Sequence, residues 1–278
     1  MYYECQNYQN ALADFSQAIK NDFDKVCPEY YNERGRCYEK MGQLNEALCD
    51  YEQAIILDEK NDKKNGRFHH NKAKILCHPQ IKDYESAIKC FSQALPIIGK
   101  DNETKYEIYL QRGICYKEIG NLKDSITDLQ AALAIYPDRP EAHNNLGLSY
   151  FKTKKMYQLA LEEFQRAIHS SENPATFYNN LALAQYHMGN TDDSLKNYLE
   201  AIKRDPNDPS FYFNRGNAFL AKKMYNEAHE DYDKAISINP KNPEYWHNKG
   251  LAIQDTKDPK LYEKAVEMFK KAIEVCFV

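Results

Sequence analysis

Apolar and small positions recur along the chain with a helical period. A small residue is followed four positions later by a bulky one, and three after that by alanine. The triplets are Ala11-Phe15-Ala18, Ala47-Tyr51-Ala54, Ala87-Phe91-Ala94, Ser125-Leu129-Ala132, Ala160-Phe164-Ala167, Ser194-Tyr198-Ala201, Ala228-Tyr232-Ala235 and Ala265-Phe269-Ala272. Spacing of i, i+4, i+7 places all three residues on one helical face. Two small residues beside a bulky one let a neighbouring helix approach closely and accept the ring. The closing alanines stand 36, 40, 38, 35, 34, 34 and 37 residues apart, so the chain is a repeat array before it is anything else.

A second helix is predicted before most triplets. It is marked by a small residue and an aromatic or apolar one three later: Gly35/Tyr38, Ala73/Leu76, Gly113/Tyr116, Gly147/Tyr150, Gly216/Phe219 and Gly250/Ile253. Ala182 breaks the phase, with Gln185 in the aromatic slot and Tyr186 one place on. Gly42, Gly120 and Gly189 suit the positive-φ position that closes a helix. The pairs Pro137/Pro140, Pro206/Pro209 and Pro240/Pro243 bracket the links, the second of each opening a helix where a missing N–H costs nothing.

These residues resemble the tetratricopeptide repeat (TPR) family. The matching pattern is an early aromatic (Tyr31, Tyr212, Trp246), a Leu146-Gly147 type pair, a Tyr, the Ala-Phe-Ala triplet and a Pro. The resemblance implies an all-α, right-handed superhelical solenoid of helix pairs running as a single array over 1–278. A partial repeat at 1–27 precedes full repeats at 28–65, 66–105, 106–139, 140–174, 175–208, 209–242 and 243–278. The first helix of each repeat is expected to line the concave surface and the second to lie outside.

Two departures from an even array matter. Ala54 to Ala73 and Ala94 to Gly113 are 19 residues apart, against 15 for Ala132 to Gly147, Ala201 to Gly216 and Ala235 to Gly250. The extra residues at 58–65 and 99–105 read as solvated loops, and Pro96 is expected to end its helix early. At the ends, Tyr2 aligns with Tyr38, and the apolar Val275-Cys276-Phe277-Val278 closes a packing helix. Solenoids need polar capping units. The expectation is a segment of a longer array, or partners covering both ends.

Composition narrows the function. With 37 Lys+Arg against 41 Asp+Glu the net charge is −4, without the cation excess that a nucleic-acid binder uses. No run of eighteen apolar residues is present, and Met1-Tyr2-Tyr3-Glu4-Cys5 has no secretory-signal pattern. Eight separate cysteines (5, 27, 37, 49, 77, 90, 115 and 276), with no C-x-x-C pair, read as reduced thiols in the cytoplasm. His69, His70, Cys77 and His78 are a weak metal constellation, and packing or surface roles fit them better. No P-loop, dinucleotide turn or nucleophile elbow occurs. The reading is no enzyme, no cofactor and no metal.

One column stands out. Two residues before the small residue of each first helix lie Glu33, Asn71, Gln111, Asn145, Asn180, Asn214 and Asn248. Asn makes up 24 of 278 residues, so chance would place fewer than one in seven positions. A carboxamide can pair with both the N–H and the C=O of an extended peptide. Repeated once per repeat, it resembles the asparagine ladder in the TPR arm of O-GlcNAc transferase. Asn144, Asn179, Phe213 and His247 flank it on one side, and Leu148, Leu183, Asn217 and Leu251 on the other. The alternative is that these amides only bond their own helices. TPR co-chaperones clamp acidic tails with a Lys three before the small residue. Here that slot holds Asn32, His70, Leu110, Asn144, Asn179, Phe213 and His247, so no chaperone-tail clamp is expected.

The resemblance therefore implies a non-catalytic scaffold for other proteins. The first reading is a structural subunit of a large assembly, ciliary or cytoskeletal. The alternatives are an adaptor that captures an extended peptide on the ladder, and the TPR arm of a larger enzyme such as a glycosyltransferase.

Overall fold

A computed structural model describes residues 7–21, 27–61 and 64–276. The positions at Tyr2, Cys5, Asp62, Lys63, Phe277 and Val278 that entered the sequence reading lie outside the described residues. Among the described residues every regular element is helical. The chain divides into two compact units, 1–137 and 138–278.

The first unit holds α1 (Tyr8–Asn21), α2 (Pro28–Lys40), α3 (Leu44–Lys60), α4 (Gly66–Leu76), α5 (Tyr84–Ala94), α6 (Asn102–Glu118) and α7 (Leu122–Ile135). The second holds α8 (Pro140–Lys152), α9 (Tyr157–His169), α10 (Ala175–His187), α11 (Thr191–Arg204), α12 (Pro209–Ala221), α13 (Tyr225–Ile238), α14 (Pro243–Asp255) and α15 (Tyr262–Cys276). Within each unit every helix packs on its chain neighbours, and in the second unit α10 also touches α8 and α12, while α12 touches α14. Each unit is an all-α solenoid of helix pairs.

Local chemistry sets the helix ends. Proline occupies the first turn of α2, α8, α12 and α14. The side chains of Asn65, Asp83, Asp101, Asn121, Asp208 and Asn242 accept backbone N–H groups at the starts of α4, α5, α6, α7, α12 and α14. Helix α5 stops at Ala94, two residues before Pro96.

The triplets form the core. The rings and side chains of Tyr51, Phe91, Leu129, Phe164, Tyr198 and Tyr232 are fully enclosed, as are the small residues on either side of them. The first helix supplies the opposing small residue. A Cβ added at Gly147 would lie 2.7 Å from the Phe164 ring, and one at Gly216 would lie 2.8 Å from Tyr232. Packing a buried aromatic this closely stabilises by roughly 3–5 kcal/mol relative to alanine.

A second device joins the two helices of a pair. Arg34–Asp50, Arg112–Asp128 and Arg215–Asp231 are two-pronged ion pairs with N···O distances of 2.6 to 2.8 Å. The carboxylates are nearly inaccessible. Each Arg immediately precedes the small glycine of the first helix, and each Asp immediately precedes the central residue of the triplet. In α8 and α9 Glu163 takes the Asp position, Leu146 stands in the Arg position, and the partner is His143 Nδ1, three residues earlier, at 2.6 Å from Glu163 Oε2.

The turns between paired helices each carry one left-handed residue. Gly42, Gly120 and Gly189 have φ of +74°, +82° and +85°. Lys82, Lys154, Lys223 and Lys257 fill the corresponding turns at +55° to +61°, where no glycine signals them.

Candidate peptide-binding face

The first helices of successive pairs place the asparagine column on one face of each unit. In the first unit Asn71 Nδ2 donates to Asn32 Oδ1 at 2.8 Å, from α4 to α2. In the second, Asn180 Nδ2 donates to Asn144 Oδ1 at 2.8 Å, and Asn214 Nδ2 to Asn179 Oδ1 at 3.0 Å. Asn248 Nδ2 donates to Asn217 Oδ1 at 2.8 Å. The acceptor is the residue beside the column in the preceding pair. Phe213 stands there in α12 and cannot accept, so the bond moves one helical turn on, to Asn217. Asn145 donates to the Glu141 carbonyl of its own helix at 2.9 Å.

The structure thus brings seven of the eight sequence-predicted residues into a relay between helix pairs, with Asn145 bonded to its own backbone. Sequence reasoning treated Asn144, Asn179 and Asn217 as neighbours of a ladder and Asn32 only as a clamp position without lysine, and did not see them as acceptors. The relay uses one N–H of each donor. The Oδ1 and second N–H of Asn214 and Asn248 have no partner among the described residues, so each keeps the donor–acceptor pair that an extended backbone requires.

Asn214, Asn217 and Asn248 line a groove of about 460 Å³ with Leu183, Tyr186, Leu220 and Tyr198. The Tyr198 ring is wholly enclosed, and its hydroxyl has no hydrogen-bond partner among the described residues. The equivalent hydroxyls are satisfied: Tyr51 Oη donates to Glu39 Oε2 at 2.9 Å, and Tyr232 Oη to Asn217 Oδ1 at 2.7 Å. Burial pushes the Tyr198 phenol above its ordinary pKa, so it stays a donor at physiological pH. From sequence the Tyr198 ring is expected to pack with its hydroxyl reaching water, whereas the structure buries the hydroxyl as well. The signal was available, since the acceptor positions used by Tyr51 and Tyr232 are filled by Tyr186 and Leu183 here.

The corresponding face of the first unit is more highly charged. Glu29, Glu33, Arg36, Lys74 and Glu107 surround a groove of about 360 Å³ that also holds His70 and Asn71. His70 is buried, with its ring 6.0 Å from that of Phe91 and Nε2 3.4 Å from Glu107. Burial, reinforced by Lys74, lowers its pKa to about 4. Cys77 lies against Cys115 rather than against a histidine. No cluster of three or more metal-ligating side chains comes together among the described residues. No helix among them is long and apolar enough to cross a membrane.

The tetratricopeptide repeat family profiles match residues 28–61 and 209–242, and a further TPR-repeat profile matches 113–154 and 186–223. The chain is a tetratricopeptide repeat protein. Tetratricopeptide repeat protein 16 of Homo sapiens is 25% identical over 183 residues, covering 61% of this TPR chain and 20% of that protein. The chain thus spans about a fifth of that relative's length. A tetratricopeptide repeat protein from Parabacteroides merdae superposes with a TM-score of 0.66 at 18% identity, covering 98% of this chain and 94% of its own. YrrB, described as a TPR protein with an unusual peptide-binding site, gives 0.53 at 22% identity, over 73% of this chain and 97% of that one. At these identities the structures establish the TPR fold.

Proposed function

We propose that this TPR protein is a non-catalytic interaction scaffold whose second unit captures an extended peptide segment. The observation that carries this reading is the Tyr198 hydroxyl, buried and unpartnered at the edge of a groove lined by Asn214, Asn217 and Asn248. A buried hydroxyl without a partner costs about 1–3 kcal/mol, and a carbonyl of a bound backbone would remove that cost. Leu183 and Leu220 offer apolar surface for small side chains between the polar contacts. The peptide-binding site in the description of YrrB supports the choice of ligand class.

Selection from a displayed library of short random peptides, followed by titration of the enriched sequences, tests this. Each bond lost through Asn214→Ala, Asn248→Ala or Tyr198→Phe should weaken binding about tenfold. Enriched peptides indifferent to all three changes would remove the reading.

A second reading, a permanent subunit of a large assembly such as ciliary or cytoskeletal machinery, draws support from α15. Ile202 and Ile236, each directly after a triplet alanine, are 9% and 8% exposed, whereas Ile273 at the same place is 59% exposed. It borders an apolar groove of about 910 Å³ with Phe213, His247 and Phe269, a surface fit for a neighbouring protein.

A further inference from the structure

The first unit contains a contact that neither the fold nor peptide capture explains. Cys77 caps the end of α4, Cys115 lies in α6, and their sulfurs are 3.0 Å apart. Both belong to one apolar cluster with Leu76, Phe91 and Ile108. Cys115 is 1% exposed, while Cys77 is half-buried and reachable from solvent.

The position has a meaning in the repeat. Cys77 stands four residues after the small residue of its helix, and Cys115 two after that of the next first helix. In the second unit the same two positions hold Tyr186 with Ala218 and Leu220 with Ala252, packed in shared clusters. The seam between pairs is therefore filled by a large residue against a small one. Here two sulfurs fill it.

We infer that Cys77 and Cys115 form an oxidisable dithiol, which a two-electron oxidant of the peroxide class converts to a disulfide joining α4 to α6. The peroxide takes the accessible Cys77 thiol to a sulfenic acid and leaves as water. The Cys115 sulfur then attacks the Cys77 sulfur, an S–S bond forms, the S–O bond breaks, and the hydroxyl departs with the Cys115 proton as a second water. Two sulfurs together lose two electrons, and the peroxide gains them. The sulfurs need to close by only about 1 Å to reach bonding distance. The bond would tie two neighbouring helix pairs across 38 residues of sequence and so restrict the unfolded chain. The neighbouring sulfur and burial raise the Cys77 pKa, so Cys77 rests as S–H and conversion is slow.

The test uses the full chain, reduced and then exposed to hydrogen peroxide, with free thiols alkylated afterwards. Exposed Cys49 reports that the oxidant has acted. The expected result is loss of two hydrogens, a non-reduced peptide pair linking Cys77 to Cys115, and a urea midpoint that rises on oxidation and returns with dithiothreitol. Cys115→Ala should leave Cys77 as a sulfenic or higher acid with no midpoint rise. Three results overturn the inference: Cys49 oxidised while Cys77 and Cys115 remain alkylatable, a dominant link to Cys90, or the same link forming as fast in urea. The mapping on the unaltered chain decides the matter even if the variant folds poorly.

Discussion

The Asn217 side-chain carbonyl accepts from Asn248 Nδ2 at 2.8 Å, tying α14 to α12. The same oxygen accepts the Tyr232 hydroxyl at 2.7 Å, which ties α13 in as well. One amide thus holds three helices. Removing an acceptor strands both donors, whereas removing Asn248 strands none in the core. Asn217→Ala is expected to destabilise the second unit by about 2–3 kcal/mol, and Asn248→Ala by about 1 kcal/mol. Trp246, the single tryptophan, lies in α14 and reports urea unfolding of this unit. A cycle with Tyr232→Phe should show Asn217 and Tyr232 coupled by about 1 kcal/mol.

Gly216 makes the other approach to Tyr232. A methyl group there would sit 2.8 Å from a ring with no room to move. Alanine favours a helix over glycine by about 1 kcal/mol, but overpacking costs about 1–3 kcal/mol. Gly216→Ala should therefore lower the Trp246-monitored unfolding midpoint, despite the better helix former. An unchanged or higher midpoint would show that the pair separates easily.

The fold was legible because small-large-small triplets encode packing, and a helix pair has few other ways to bury Ala228, Tyr232 and Ala235 together. The glycines at 42, 120 and 189 were legible for the same reason, since positive φ selects for them. Lys82, Lys154, Lys223 and Lys257 adopt that geometry without any sequence mark, because the surrounding helices impose it. The column of asparagines was visible as a pattern. Its hydrogen-bonded partners were not, because the acceptor depends on which residue of the preceding pair faces it, and Phe213 diverts it to Asn217. The Arg–Asp pairs escaped notice since only three pairs of helices carry them.

His70 gives the first unit a pH dependence. Its pKa falls from about 6.5 in the unfolded chain to about 4 in the fold, because burial disfavours the cation and Lys74 repels it. Asp101 opposes the shift, and Glu107 also faces the ring. Between these values the unfolded chain binds the proton more readily. Stability is therefore complete above pH 6.5 and declines as the pH falls toward 4, by at most about 3 kcal/mol. His69 is shifted in the same direction by burial and adds to the slope. Amide hydrogen exchange in α4, followed from pH 7 to 4.5 and corrected for intrinsic rates, should show this decline, and His70→Gln should flatten it.

The left-handed lysines yield a test of where the array is strained. Lys223 has φ +61° in the turn between α12 and α13, and it is exposed. An L-residue in this region costs roughly 1–2 kcal/mol, while glycine adds about 0.5–1 kcal/mol of unfolded-state entropy. The difference favours glycine, so Lys223→Gly should stabilise the second unit by up to about 1 kcal/mol. Lys223→Ala keeps the backbone penalty and removes the charge, and should change little. Swapping in the other direction, Gly189→Lys imposes the penalty at φ +85° and should destabilise by a similar amount. If Lys223→Ala matched Lys223→Gly in Trp246-monitored unfolding, the side chain rather than the backbone would be the source of the effect.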